Sequence, residues 1–323
     1  MSKKTIKFIA FLAVGVFIFY FLLKNINLAD LKGSLSGFDW HFGFLAFGLY
    51  SVISVFKALR FNFFLENKIG FKKFLRIIFL YNFWNQILPF FSGDLSYLYL
   101  VKKSKKVALG ENFSSLITAR VFDLFIVALF AFLGLYFSLD FRRLDLNLKK
   151  WFLPGALLVS AIFISLIFFN RQINGAIKSG FKKIGFLKFR FISYLFDKLN
   201  QVSASIATLK SIPRFFGFFG YSLAIWLMDF IFIWLMVTGA GLTINFWQAV
   251  AASTLLIFAT SLIPVQTPVN LGTYEGALVL IFMAFGFEKN ISVGAGILVH
   301  LQNILFAFVL FVFINIFGRK FKD

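Results

Sequence analysis

The chain has 323 residues, 60% of them hydrophobic and 14% charged, with a formal net charge of +20 and a mean hydropathy of +0.87. Apolar runs that approach or exceed the roughly 18 residues needed to cross a bilayer recur along it, so it is expected to be an all-α polytopic membrane protein, not a soluble domain. The basic excess sits in short connections between those runs, which makes anionic lipid headgroups the expected partners and excludes nucleic acid. There are no cysteines, so disulfides and thiolate metal sites are excluded, and with His41 and His300 as the only imidazoles no metal or other cofactor is expected.

The first element is a basic start (Lys3, Lys4, Lys7) followed by an apolar run over residues 8–23. Lys24, Asn25 and Asn27 follow without a small-residue cleavage site, as in an uncleaved signal anchor. Further full spans are expected at 41–60, 113–138, 152–169, 215–238 and 291–317, making about six in a single integral membrane domain over 1–323. The 52 phenylalanines read as lipid-facing packing.

Two regions do not fit as single spans. Residues 74–101 are broken at Pro89 and Gly93 and flanked by basic clusters on both sides, Lys68, Lys72, Lys73 and Arg76 before and Lys102, Lys103, Lys105 and Lys106 after. Cytoplasmic signals at both ends predict a re-entrant hairpin that enters and leaves by the cytoplasmic face. Residues 247–286 are broken between Pro264 and Gly272, with Pro268 inside the break, and their flanks carry only Glu288 and Lys289. That hairpin is expected to open outward. Backbone that leaves the helix at membrane depth must be buried in protein or line a wet cavity.

With the N-terminus inside, 24 of the basic residues fall in cytoplasmic segments, and seven (Lys24, Lys32, Arg142, Arg143, Lys149, Lys150, Lys289) fall outside. The layout places both termini in the cytoplasm of a cell (inner) membrane. It also contains an inverted repeat: span, hairpin, span over 41–138, then the reverse over 215–317. The basic linker between them, 171–214, contains Phe189, Ile192, Leu195, Phe196, Leu199, Val202 and Ile206 at helical spacing. Such an amphipathic helix lies either in the cytoplasmic interface or against the protein's own cytoplasmic face.

Ionisable residues at membrane depth are costly and by default mark a functional site or a buried pair. Asp94 and Glu275 follow the two breaks, where each either contacts a cationic group or serves a helix N-terminus. Arg120 and Asp123, three residues apart, share one helix face. They either pair with each other, bridge to Asp94, or leave the guanidinium for a headgroup phosphate. Arg60 lies at a span end, where an arginine can snorkel. Asp229 lies mid-span near Trp226 and Trp234 and is expected to protonate or to find Arg120. His300, with Gln302 and Asn303, mirrors Arg120 and Asp123 in the second repeat. No GxGxxG, P-loop, GxSxG or HExxH occurs. Asp30, Asp140 and Asp145 read as solvated loop charges.

The run from ALRFNFFLENKIG through LPFFSGDLSYLYLVKK to SSLITARVFDLFIV resembles the membrane region of lysylphosphatidylglycerol synthase/flippase proteins. The resemblance rests on Arg60, Pro89, Gly93, Asp94, Arg120 and Asp123, and on Pro264, Pro268, Gly272, Glu275 and Gly276. It implies a domain that moves aminoacylated or otherwise modified lipids between leaflets, with re-entrant helices and homodimerisation. The chain departs from the pattern at Ser92, where the family has a glycine, and at Tyr274, where it has an arginine. The soluble aminoacyltransferase domain of the full-length proteins is expected to be absent, so catalysis is not expected. The expected function is a lipid flippase or lipid-linked-intermediate transporter, its two acidic hairpin tips meeting around one wet chamber. The alternatives are a membrane subunit of an aminoacyl- or glycosyl-transfer system, and a scaffold acting through the basic linker.

Overall fold

A computed structural model describes residues 36–88, 92–138, 149–168, 211–262 and 267–317, with isolated positions elsewhere. The described residues form helices and no strands. In chain order they are α1 (Trp40–Phe64), α2 (Phe71–Ile87), α3 (Ser92–Lys103), α4 (Leu109–Ser138), α5 (Lys149–Phe168), α6 (Ile212–Gly239), α7 (Phe246–Leu262), α8 (Thr273–Ala284) and α9 (Lys289–Phe317). A single 3-10 turn, Pro268–Asn270, stands between α7 and α8.

Four of these helices, α1, α4, α6 and α9, are long and apolar enough to cross a membrane. The expected span at 152–169 is α5, whose apolar stretch Leu153–Ser165 is shorter. The expected anchor at 8–23 and the amphipathic helix in the basic linker lie outside the described residues. So do Pro89 and Pro264.

Neither broken region is one continuous helix. Helices α2 and α3 are 17 and 12 residues long, and α7 and α8 are again 17 and 12. Each pair packs together and is flanked by two long helices. The contacts recur in kind: α1 packs on α2 as α6 does on α7, α3 on α4 as α8 does on α9, and α4 meets α7 while α9 meets α2. Helices α1 and α6 pack along one another between these groups.

Chain reversal in the second break relies on backbone that few residues tolerate. Val269, Asn270 and Gly272 all have positive φ, at 61°, 54° and 78°. The freed polar groups are satisfied locally: Thr267 Oγ1 donates to the Leu271 carbonyl at 2.8 Å and Thr273 Oγ1 to the Asn270 carbonyl at 2.9 Å. Thr267 and Pro268 are buried, as non-helical backbone in an apolar surrounding requires.

Phenylalanine does more than face lipid. Phe122 sits among Phe163, Phe215 and Phe218, Phe125 stacks on Phe163 of α5 with ring centroids 3.8 Å apart, and Phe83 of α2 stacks on Phe311 of α9 at 4.0 Å. Among the described residues twelve phenylalanines are buried, Phe232 and Phe306 among them, and so pack inside the protein. Aromatic packing of this kind replaces part of the hydrophobic driving force that is missing between helices in lipid.

Outside the spans, two exposed ion pairs fasten the α1–α2 loop. Arg214 hydrogen-bonds Glu66 at 2.5 Å and holds its carboxyl below the ordinary glutamate range, while Glu111 accepts from Lys68 at 2.6 Å and raises the lysine. The Glu66 clasp is therefore present above the ordinary glutamate range and is lost as the pH falls through the depressed value.

One close approach between the halves is at Gly134 of α4. A Cβ there would lie 2.9 Å from the Ala251 backbone nitrogen of α7, whereas one at Gly220 of α6 would meet nothing within 4 Å. Gly134→Val is expected to lower the unfolding free energy in detergent by about 1–3 kcal/mol through overpacking, and Gly220→Ala to leave it unchanged or slightly higher. Thermal unfolding of the two purified variants checks both.

Candidate functional site

Seven helices, α1, α2, α4 and α6 to α9, line a polar cavity of about 280 Å³. Charged residues reach it from three of them: Lys57 and Arg60 on α1, Arg120 and Asp123 on α4, and Asp229 on α6. On each helix these residues stand three positions apart or alone, so helical periodicity turns them to one face.

Arg60 is the centre of this arrangement. Its Nη1 and Nη2 donate to the two carboxylate oxygens of Asp123 at 2.5 and 3.2 Å, and Nη1 also donates to Ser222 Oγ at 3.2 Å. Asp123 accepts a further bond from Trp226 Nε1 at 2.9 Å. The Arg60 side chain is 4% exposed. An arginine fork matched to a carboxylate is the strongest form such a pair takes, and here it joins α1, α4 and α6.

Arg120 pairs elsewhere. Its Nη2 donates to Asp94 Oδ1 of α3 at 2.6 Å and to Tyr81 Oη of α2 at 3.3 Å. Tyr81 Oη in turn donates to Asp94 at 3.3 Å. The Arg120 side chain is 48% exposed, and Asn85, another lining residue, is exposed as well, so the cavity opens on this side.

Asp94 is held at that spot by the fit of α3 against its neighbours. A Cβ on Gly93 would fall 2.8 Å from Asn85 Cα, so glycine is what lets α3 lie on α2. Tyr97 hydrogen-bonds Ser115 at 2.8 Å, and Asn112 Nδ2 donates to the Leu98 carbonyl at 2.9 Å, fixing α3 to α4.

A second contact between an acidic and a basic side chain lies away from the cavity lining. Glu275 Oε1 meets His300 Nδ1 at 2.8 Å, while Glu275 Oε2 accepts the Gly272 N–H at 2.7 Å and so caps the start of α8. Both side chains are almost fully buried, at 3% and 2% exposure. The His300 ring stacks on Tyr274 with centroids 4.3 Å apart, and its Nε2 has no hydrogen-bond partner. Tyr274 and Asn303, joined by a 3.2 Å hydrogen bond, do reach the cavity wall.

The two pairs occupy matching places. Asp94 and Glu275 are the third residues of α3 and α8, and Arg120 and His300 are the twelfth of α4 and α9.

Several expectations change in this setting. Arg60 does not snorkel to an interface, because Asp123 and Ser222 hold it inside. Of the alternatives open to Arg120, the bridge to Asp94 is the one made, since Asp123 is already taken by Arg60 and Trp226. Asp229 does not reach Arg120; it accepts only from Ser253 Oγ, at 3.3 Å. The two acidic tips do not share one chamber: Asp94 stands behind Arg120 at the cavity's open side, and Glu275 is sealed among α8 and α9.

Lys57 escaped the sequence analysis altogether, although it lines the cavity. A signal for it existed. Of the 33 lysines and arginines, all but Lys57 and Arg120 belong to the connections and their edges, so these two are the basic residues left at membrane depth. Among the described residues no group of three or more metal-binding side chains occurs.

Comparison of the chain with protein families matches residues 8–310 to the model described as the lysylphosphatidylglycerol synthase TM region. Neither a curated protein nor a solved structure matches.

Removal of Arg60 leaves Asp123 as an uncompensated buried charge, whereas removal of Arg120 acts on a half-open site. Arg60→Ala is expected to cost about 3–5 kcal/mol of stability and Arg120→Ala clearly less. Melting of both variants in the same detergent compares them.

Proposed function

The chain belongs to the lysylphosphatidylglycerol synthase TM region family, and from that premise we propose that it carries a lipid from one membrane leaflet to the other. The observation that supports this most is the charged cavity between helices long enough to cross a bilayer. A phospholipid's barrier to crossing is its headgroup, because moving charge and hydrogen-bonding groups through hydrocarbon is expensive. A polar space of about 280 Å³ among the helices replaces the lost hydration while the acyl chains stay in lipid.

The same proposal reads the two helix groups as an inverted repeat. The matching lengths of α2–α3 and α7–α8, and the matching places of Asp94–Arg120 and Glu275–His300, support it. In this scheme the Asp94–Arg120 pair marks the open side and Glu275–His300 the closed one, and exchange of their roles turns the cavity to the other leaflet. Arg60 and Asp123 stay fixed as the hinge on which α1, α4 and α6 meet, while Asp229 faces the headgroup and Arg120, paired with Asp94, stands at the entrance. Both termini lie in the cytoplasm of the cell membrane.

Exchange of an acyl-labelled phospholipid in vesicles, followed by quenching from outside, tests the transport step. The protein is expected to make the inner-leaflet label accessible, and Asp94→Asn or Arg120→Ala to slow this at least about tenfold with the protein still eluting as a folded species. Unchanged exchange in both variants removes the mechanism. The absence of native cysteine makes the repeat testable separately: Ser92→Cys and Leu271→Cys are expected to react with an impermeant maleimide from opposite faces. Labelling of both from one face overturns the inverted arrangement.

A further inference from the structure

Lys57 and Asp229 are each the eighteenth residue of their helix, α1 and α6, and those helices pack along one another. Both line the cavity. The other charges around it are engaged, Arg60 by Asp123 and Arg120 by Asp94. Lys57 takes part in no ion pair among the described residues, and Asp229 has only the Ser253 hydroxyl. A lysine and an aspartate therefore stand in the same polar space with no ion pair between them. Each bears the desolvation cost of its position, which their attraction across the space lessens but no ion pair between them offsets in full.

A ligand with one anionic and one cationic group, set a few ångströms apart, offsets both. Taking this cavity as the headgroup path, we propose that it selects a phospholipid headgroup with one phosphate and one ammonium, the phosphate held by Lys57 and the ammonium by Asp229. The walls suit each end. Asp229 is flanked at helical spacing by Trp226 and Phe232, both lining the cavity, and aromatic faces attract an ammonium. Asn85 and Gln86 of α2 also line it and supply amide N–H donors for phosphate oxygens.

The balance of charge sharpens the selection. Lys57, Arg60 and Arg120 are matched in number by Asp94, Asp123 and Asp229, so host and ligand are both neutral overall. A headgroup with phosphate alone leaves Asp229 uncompensated. A lysine-esterified headgroup brings two ammonium groups for one free carboxylate, and the second finds no anion.

Vesicle exchange with three acyl-labelled lipids tests this: phosphatidylethanolamine, phosphatidylglycerol and lysylphosphatidylglycerol. The wild-type protein is expected to move the first at least about tenfold faster than either of the others. Asp229→Asn, which retains a partner for Ser253, is expected to bring phosphatidylethanolamine and phosphatidylglycerol to within about twofold of each other; a preference that survives it overturns the role of Asp229. Lys57→Met is expected to slow phosphatidylethanolamine, and an unchanged rate overturns the role of Lys57. If phosphatidylglycerol or the lysyl lipid moves as fast in the wild type, selection for a zwitterion is wrong while lipid transport stands. If the folded wild type moves none of the three, lipid transport itself fails. Uptake of radiolabelled phosphoethanolamine into the vesicles without lipid exchange assigns the cavity to a soluble solute and overturns the lipid as the source of the headgroup.

Discussion

The fork between Arg60 and Asp123 is the contact on which the rest of the structure depends. It lies between three helices, of which α1 and α6 are separated by more than a hundred residues of chain, and Ser222 and Trp226 add hydrogen bonds to it. In such surroundings a matched ion pair adds only modest net stability, but loss of one partner is severe. Its larger effect is on register. Arg60, Asp123, Ser222 and Trp226 meet only if α1, α4 and α6 cross at one depth, and that crossing creates the polar cavity beside them.

Once Asp123 is taken, the remaining charges must find other arrangements. Arg120 turns outward to α3, where Gly93 has allowed Asp94 to approach, and the pair remains half open. Lys57 and Asp229 remain apart, facing the same space. The second half of the chain places Glu275 and His300 at the matching positions, this time closed over and stacked against Tyr274. Similar local structures in the two halves thus reach different degrees of exposure, which is the asymmetry that a carrier resting in one of two states would display.

Close packing makes this polar interior tolerable. Gly134 against Ala251, Gly93 against Asn85 and the stacked phenylalanines let helices approach until dispersion forces hold them, because lipid supplies no hydrophobic push between helices. The strained turn at Val269–Asn270 is held by threonine hydroxyls in the same setting.

The membrane character, the long helices α1, α4, α6 and α9, and the two breaks were legible in the sequence, because span length, proline and glycine act locally and leave a mark within a few residues. The same holds for the presence of carboxylates and arginines at depth, since hydrocarbon makes each of them conspicuous. Partner choice was not legible. Helical spacing left Arg120 open to Asp123, Asp94 or a headgroup phosphate and Arg60 to an interface, whereas Arg120 belongs to Asp94 and Arg60 to Asp123. Lys57 went unnoticed beside its more conspicuous neighbours. Periodicity fixes which side chains share a face of one helix, but which faces meet, and at what depth, depends on contacts between segments far apart in the chain, and only the tertiary structure decides those.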